Sequence, residues 1–204
     1  MTTASSKPVS QQHGYHHGDL RRELLKIARE EIASKGAEGI TLSMLARLAK
    51  VSQGAPYRHF ENMNDLLEAL AAEGFDEFSV AMNLAAAKCK PAGELKAMAL
   101  AYVAYAERNM ELYRLMFASR LVPLAQAGSA LDGAADRAFE LLRRVVACTS
   151  PADTVQDDAM LIWAQLHGLV MLKADGLITS PLSRYVKIST LVTRPTPALA
   201  NRRT

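Results

Sequence analysis

Apolar residues recur at every third or fourth position along most of this chain, and polar residues fill the positions between them. Such spacing places the apolar side chains on one face of a helix. No stretch alternates apolar and polar residues for long enough to predict a β-strand. The pattern therefore predicts an all-α protein.

The first helix is predicted to begin at Asp19, which can cap it, and to run to about Ser34. Lys35 and Gly36 follow, and a cation followed by a glycine is typical of a helix C-terminus. One apolar stripe supports this helix: Leu20, Leu24, Ile27, Ala28 and Ile32.

Three further helix starts are predicted between residues 41 and 62. Thr41 can cap a second helix of about two turns, and Ser52 can cap a third short helix that runs through Phe60. Asn62 begins a longer fourth helix, and Asp65 stands where a capping box needs its second residue.

Residues 41–60 thus form two short helices joined by a tight turn, which is the pattern of a helix-turn-helix. Ala46 is small where the second of these helices must cross the first, and Pro56 occupies an apolar position that faces the core. The second helix of such a motif has a suitable width for the major groove of DNA.

The remainder of the chain is predicted to be a series of amphipathic helices separated by proline, glycine and serine residues. Their expected ranges are 63–88, 93–107, 110–118, 123–148, 154–174 and, with a weaker pattern, 181–192. We therefore divide the chain into a flexible arm (1–17), a helix-turn-helix domain (18–66), a C-terminal helical domain (67–192) and a disordered proline-rich tail (193–204).

Charge is distributed unevenly along the 204 residues, which carry 24 Lys plus Arg and 21 Asp plus Glu, for a net charge of +3. Residues 1–61 hold nine of the cations and six of the acids, so 15 of each remain and the whole excess lies in the N-terminal part. This location favours a polyanionic partner for the N-terminal part alone.

Several classes of protein are not expected. Residues 1–17 lack the apolar segment of a secretory signal, and the apolar runs are too short to cross a bilayer, so we expect a cytoplasmic protein without membrane contact. Cys89 and Cys148 are far apart, which argues against a disulfide framework and a zinc ribbon. Without a nucleophile elbow, a phosphate loop or paired acids at a fixed spacing, we expect neither an enzyme nor a bound cofactor.

The block from Tyr15 to Leu67, with YHHGDLRRELL at its start and TLSMLARLAKVSQGAPYRHFENMNDLL at its end, resembles the DNA-binding domain of the TetR/AcrR family of transcriptional regulators. The order and spacing of its motifs follow the family throughout this quarter of the chain. In the C-terminal part, Trp163, His167 and Gly168 resemble the Trp-His-Gly signature of one subgroup of TetR ligand domains.

This resemblance implies roles for individual residues. Thr41, Tyr57 and His59 correspond to family positions that contact DNA phosphates, where helix N-termini and side-chain donors suit a phosphate oxygen. The positions that face bases correspond to Gln53, Gly54, Ala55 and Arg58. The expected DNA-binding set is completed by Arg21, Arg22, Arg47, Lys50 and Ser52.

Two positions depart from the family pattern. Lys50 stands in the turn where the family usually has glycine, and a left-handed conformation there would cost a non-glycine residue about 1 kcal/mol. Met63 stands where the family often has lysine. His13, His16 and His17 in the arm lack the acid or cysteine partners of a metal site, so no metal is expected; they are interpreted as DNA contacts or as a solvated segment.

The C-terminal part is rich in methionine and aromatic residues, which adapt readily to apolar guests. The predicted ligand-binding residues are Tyr102, Tyr105, Tyr113, Met116, Phe117, Phe139, Trp163 and His167. His167, one helical turn from Trp163, also fits the alternative of a histidine in the core or at a helix interface.

These observations predict a repressor that binds a palindromic DNA operator as a homodimer and is released by a small apolar or aromatic effector. The helices at 123–148 and 154–174 are the expected dimer interface, by resemblance and by their apolar faces. Two rival hypotheses remain: a DNA-binding regulator without an effector, and an all-α enzyme or carrier for small molecules.

Overall fold

The computed structural model describes residues 17–178, which form eight α-helices and one 3-10 helix and contain no β-strand. The all-α prediction is confirmed. The α-helices are α1 (His17–Lys35), α2 (Leu42–Leu48), α3 (Met63–Ala86), α4 (Pro91–Arg108), α5 (Met110–Phe117), α6 (Leu121–Leu124), α7 (Ala130–Val146) and α8 (Val155–Ala174), and the 3-10 helix is Pro56–Arg58.

Most predicted helix ends lie close to the observed ones. The N–H of Gly36 donates to the carbonyl oxygen of Ile32 at 2.8 Å, and its φ of 78° is the left-handed conformation that ends α1. The hydroxyl of Thr41 accepts from the N–H of Met44 at 3.2 Å and caps α2 as expected. By contrast, α1 begins at His17, so Asp19 lies within its first turn rather than before it.

Asn62 and Asp65 cap the start of α3 in a variant of the predicted capping box, in which the return bond reaches the residue before the N-cap. The Asn62 side chain accepts from the N–H of Asp65 at 3.1 Å. In return, the Asp65 carboxylate accepts from the N–H of Glu61 at 3.0 Å. The two bonds fix the direction in which α3 leaves the preceding segment.

The helix predicted from Ser52 through Phe60 is wrong in its detail, because this segment consists of turns and the 3-10 helix. Pro56 has no N–H and cannot make the α-helical bond to the carbonyl oxygen of Ser52, which instead accepts from Ala55 at 3.0 Å. Pro56 itself is buried, as its apolar position predicted.

The single helix predicted for 123–148 is also wrong, since α6 ends at Leu124 and α7 begins at Ala130. Gly128 adopts a φ of 79°, and the hydroxyl of Ser129 accepts from the N–H of Asp132 at 3.2 Å. The Asp132 carboxylate accepts from the N–H of Gly128 at 2.8 Å, so the pair forms a capping box that starts a new helix.

The helix α3 is the longest element and forms the centre of the fold. It packs against α4, α5, α6 and α7, and its N-terminal part also contacts α1. Its core-facing residues include Leu66, Leu70, Phe75 and Phe78, and one hydrophobic core continues from α1 to α8. The boundary expected between residues 66 and 67 thus falls inside a continuous helix. The helix expected at 181–192, the arm up to residue 16 and the tail lie outside the described residues.

Candidate functional sites

All twelve residues expected to contact DNA lie on α1, on α2 with its N-cap Thr41, and in the segment from residue 50 to residue 59, and these elements pack against one another. Ten of their side chains or backbone positions are exposed, and Ala55 and His59 are partly buried. The exposed ones are Arg21, Arg22, Thr41, Arg47, Lys50, Ser52, Gln53, Gly54, Tyr57 and Arg58. The surface therefore combines cations, hydroxyl groups and an amide.

Arg21 connects α1 to the end of the helix-turn-helix. Its guanidinium carbon lies 5.3 Å from the centre of the Phe60 ring, which is buried at the end of the segment that carries Tyr57 and Arg58. This cation–π contact holds a positive charge beside the predicted recognition segment.

Lys50 has a φ of 56° and is the one residue other than glycine with a positive φ in residues 17–178. Its N–H donates to Arg47 at 3.2 Å, and the N–H of Val51 donates to Ala46 at 3.0 Å. These two bonds form a Schellman motif, in which the left-handed position usually belongs to glycine. Lys50 therefore adopts the left-handed conformation that is costly for a residue other than glycine.

Tyr57 and His59 differ in how they meet solvent. Tyr57 is 55% exposed, so its hydroxyl is free to contact a partner. The Nε2 atom of His59 is buried, although the ring as a whole is only partly buried. Met63, which stands at a frequent lysine position of the family, packs against the hydrophobic core and adds no charge to this surface.

A second candidate site is a partly open cavity of about 320 Å³ among α3 to α8. Five of the eight predicted ligand-binding residues line it: Tyr102, Met116, Phe117, Phe139 and Trp163. Fourteen lining residues were not predicted: Phe75, Phe78, Met82, Leu95, Met98, Ala99, Val122, Pro123, Ala135, Asp136, Ala138, Leu142, Met160 and Leu166. Many of them follow helical spacing on α3 and α7, which is also the signal of ordinary core residues.

Two predicted residues, Tyr113 and His167, lie behind the cavity wall and form a hydrogen-bonded chain with Tyr102. The hydroxyls of Tyr102 and Tyr113 are 2.6 Å apart, and the Tyr113 hydroxyl is 2.8 Å from His167 Nδ1. The structure thus supports the alternative interpretation of His167 as a histidine between helices, bonded to Tyr113.

Burial determines the protonation of the hydrogen-bonded residues Tyr102, Tyr113 and His167. Burial raises the pKa of the Tyr113 and Tyr102 hydroxyls well above their usual value of 10, so both are neutral at physiological pH. Burial also lowers the pKa of His167 below its usual value of 6.5, which favours the neutral imidazole.

Tyr105 does not line the cavity, which differs from its predicted role. Its hydroxyl lies 3.1 Å from the carbonyl oxygen of Gly74 and 3.4 Å from Glu77 Oε2. Glu77 in turn forms a two-point ion pair with Arg29 of α1. The Tyr105 ring also packs edge-on against Phe78, a cavity-lining residue, at 5.3 Å between ring centres.

Among residues 17–178 there is no group of three His, Cys, Asp or Glu side chains that could hold a metal ion. None of the helices in this range is both long and apolar enough to cross a membrane. The side chains of His13, His16 and His17 lie outside the described part of the structure.

Two family models match the chain. The model described as bacterial regulatory proteins of the tetR family matches residues 24–70, which include the helix-turn-helix. The model described as a tetracyclin repressor-like C-terminal domain matches residues 95–189, which include Trp163, His167 and Gly168. No curated protein is similar enough to match.

Solved structures share the fold over nearly the whole chain. A protein of unknown function from Rhodococcus sp. RHA1 is 30% identical, with a TM-score of 0.76 over 93% of this chain and 96% of that one. The TetR family transcriptional regulator PfmR from Thermus thermophilus is 18% identical, with a TM-score of 0.57 over 88% and 92%. The fatty acid degradation regulator FadR from Bacillus halodurans is 16% identical, with a TM-score of 0.58 over 84% and 97%.

Proposed function

We propose, from the premise that this chain belongs to the TetR family of transcriptional regulators, that it is a repressor controlled by a small molecule. In this proposal a homodimer binds a palindromic DNA operator, and an apolar or aromatic effector releases it. The observation that carries the effector response is the mainly apolar cavity of about 320 Å³ in the C-terminal part. That volume lies within the range of small-molecule sites.

The proposed DNA interface uses the exposed residues of α1, α2 and the segment at 50–59. Arg21, Arg22, Arg47 and Lys50 supply cations that suit phosphates. Thr41, Tyr57 and His59 are the proposed phosphate contacts from helix ends and hydroxyl or imidazole groups. In the same interface Ser52, Gln53, Gly54, Ala55 and Arg58 are proposed to face the groove.

A second copy of the chain is proposed because one such module contacts few phosphates, whereas two related by a twofold axis read two half-sites. The outward face of α8 supports this proposal. Leu161 and Leu172 are 43% and 45% exposed, and Ala164 is exposed between them. A Cβ added at Gly168 on the same face would meet no atom within 4 Å. A helix that is apolar on its outward face as well is typical of a covered helix.

The two predicted dimer helices differ in character. The exposed face of α7 carries charged residues, including Arg137, Glu140 and Arg144. We therefore assign the apolar centre of the proposed dimer interface to α8 and its polar edge to α7, which resembles the usual division of an interface into core and rim.

The proposed coupling between cavity and DNA runs through α3 and α4. Phe78 lines the cavity and packs against Tyr105, and Tyr105 reaches the carboxylate that pairs with Arg29 of α1. An effector that displaces Phe78 would thus alter the position of α1 and of the DNA-binding segment. To release DNA, it must bind the conformer with displaced α1 more tightly than the DNA-competent one.

The protein is proposed to act in the cytoplasm, by binding rather than by catalysis. The rival of an all-α enzyme or carrier predicts that variants unable to bind DNA retain full turnover or ligand binding. It also predicts that the ligand does not change the DNA affinity of the unmodified chain. The rival of a regulator without an effector predicts that no compound changes the melting temperature or the DNA affinity.

The proposal is tested by selecting genomic DNA fragments bound by the full chain and measuring their affinity by fluorescence anisotropy. We expect salt-sensitive binding to a palindrome, with two chains per site, and loss of affinity when an effector is added. Binding by single chains to DNA without twofold symmetry would contradict the homodimer, and DNA affinity unchanged by every compound that occupies the cavity would contradict the effector response.

A further inference from the structure

The walls of the cavity are almost free of charge. Its lining consists of aliphatic, methionine and aromatic residues, together with the hydroxyl of Tyr102, the indole of Trp163 and one charged residue, Asp136. Asp136 is exposed, so its carboxylate remains in water at the edge of the cavity. No Lys, Arg or His of the described chain lines the cavity.

This lining disfavours an anionic ligand. A carboxylate or phosphate that enters such a site loses its hydration and meets no cation in return, so its burial is strongly unfavourable. The carboxylate of Asp136 adds repulsion at the edge. An ammonium group would lose its hydration as well, and cation–π attraction to the aromatic rings would offset only part of this desolvation free energy.

One polar group that the lining offers to a ligand is the Tyr102 hydroxyl, which has one proton to donate and lone pairs to accept. The hydroxyl shares a hydrogen bond with Tyr113, which continues to His167 Nδ1. The bond to Tyr113 does not use all of the hydrogen-bonding capacity of the Tyr102 hydroxyl, and Tyr102 belongs to the cavity lining.

The order of donors and acceptors along the hydrogen bonds from His167 to Tyr113 to Tyr102 decides whether Tyr102 accepts from a ligand or donates to it. If His167 Nδ1 accepts from Tyr113, then Tyr102 donates to Tyr113 and keeps a lone pair for a ligand hydroxyl. If Nδ1 carries the proton and donates to Tyr113, then Tyr113 donates to Tyr102, whose own proton is free for a ligand carbonyl. The two tautomers of a neutral His167 thus serve two kinds of neutral polar group.

We propose that the effector is an uncharged, mainly apolar molecule with one hydroxyl or carbonyl group, which binds the Tyr102 hydroxyl, and that the cavity rejects anions. This inference rests on the proposed function, in which a ligand of the cavity controls DNA binding, and it names the chemical class of that ligand. Tyr102 is the specificity-determining residue, and Tyr113 and His167 position its proton.

The experiment uses three probes with the same eight-carbon chain: octan-1-ol, sodium octanoate and octylammonium chloride. Trp163 is the single tryptophan of the chain and lines the cavity, so its fluorescence reports occupancy by these non-absorbing probes. We expect octan-1-ol to bind at least about tenfold more tightly than either charged probe, because only the charged probes must lose a strongly held hydration shell.

The variant Tyr102→Phe keeps the ring and removes the hydroxyl. It should lower the affinity for octan-1-ol by about 2-fold to 10-fold and leave the affinity for 1-chlorooctane nearly unchanged, since a single hydrogen bond is removed. The probe 1-chlorooctane is the matched control, because it can occupy the same cavity and has no hydroxyl to bond with Tyr102.

The outcomes separate this inference from the proposed function. Tighter binding of octanoate or octylammonium, with release of DNA, would overturn the neutral class and leave the effector response intact. If Tyr102→Phe lowers the affinities for octan-1-ol and 1-chlorooctane equally, or lowers neither, the role of Tyr102 is overturned. If Tyr102→Phe does not fold, the ranking of the three probes in the unmodified chain still decides the ligand class. Occupancy by octan-1-ol without any change in DNA affinity would instead contradict the proposed function.

Discussion

Arg29 of α1 and Glu77 of α3 form a two-point ion pair at the place where the helix-turn-helix part meets the rest of the chain. Glu77 also lies within reach of the Tyr105 hydroxyl, and the pairing raises the pKa of Arg29. The ion pair is therefore a polar link between the DNA-binding elements and the wall of the cavity.

The variants Arg29→Gln and Glu77→Gln, combined in a double-mutant cycle, should show a coupling of about 0.2 to 1 kcal/mol in the free energy of unfolding. The value is small because both side chains are partly exposed, 33% and 44%. Each variant should also reduce the release of DNA by a cavity ligand. The exposed pair of Arg137 and Asp76 is the control: its removal should leave the release unchanged, and an equal effect there would argue against the link.

The proposed phosphate contacts make a distinct prediction. Replacing Tyr57 by Phe and His59 by Ala should lower the affinity by a similar factor for all DNA sequences, because phosphates carry no sequence information. Replacing Arg58 by Ala should instead relax the preference at one or two base pairs. Anisotropy titrations on a set of single-base operator variants distinguish the two patterns, and a base-selective loss in the first variant would contradict its assignment.

Lys50 combines backbone strain with a proposed phosphate contact. Lys50→Gly should stabilise the protein by roughly 1 kcal/mol, since glycine adopts the φ of 56° without steric cost, whereas Lys50→Ala should not. Both variants lose the charge, so both should reduce the salt dependence of DNA binding by about one phosphate contact. Equal melting temperatures of the Gly and Ala variants would argue against strain at this position.

Gly168 tests the proposed dimer. Within residues 17–178, a Cβ at this position meets no atom of another element within 4 Å, so the monomer should tolerate Gly168→Leu. If a second α8 lies against this face, the variant should raise the dimer dissociation constant about tenfold or more, which analytical ultracentrifugation measures. Gly93→Ala on α4, outside the proposed interface, is the control, where the added Cβ meets the Cβ of Cys89 at an ordinary 3.5 Å. An unchanged dimer in Gly168→Leu would exclude this face as the interface.

His167 predicts how stability depends on pH. Its folded-state pKa is depressed, so below about pH 6.5 the unfolded chain binds the proton more readily than the folded chain does. The free energy of unfolding should therefore fall as the pH drops from 7 to 5. In His167→Gln this part of the pH dependence should disappear, and urea denaturation at several pH values measures it. An identical slope in both proteins would show that other groups cause the loss.

The helix ends were the most predictable part of the fold because they depend on local chemistry. Thr41 and Asn62 cap their helices through bonds to residues three positions away, which the sequence displays directly. Ser129 and Asp132 display the same pattern, but the apolar spacing on both sides suggested one continuous helix. In the segment of Pro56 the spacing suggested an α-helix, and the missing N–H of the proline decided otherwise.

The cavity was less predictable because its walls depend on contacts between distant residues. Tyr102 and Tyr105 are three positions apart on α4, yet the first lines the cavity and the second bonds to α3. Phe75, Phe78 and Met82 repeat at helical spacing, which does not distinguish a wall of a cavity from a filled core. A local pattern thus gives the face of a helix, and the neighbouring helices determine what that face contacts.

The continuity of α3 limits how regulators of this kind can be recombined. This helix is about 36 Å long and has no break where the helix-turn-helix part ends. A hybrid that joins these DNA-binding residues to a foreign sensor would need its splice inside α3, with Leu66 and Leu70 still buried in the original core. Grafts that keep residues 62–77 from the same parent as α1, including Glu77 as the partner of Arg29, should still release DNA when the sensor binds its ligand. A junction at residue 61 should instead uncouple ligand binding from DNA binding or prevent folding.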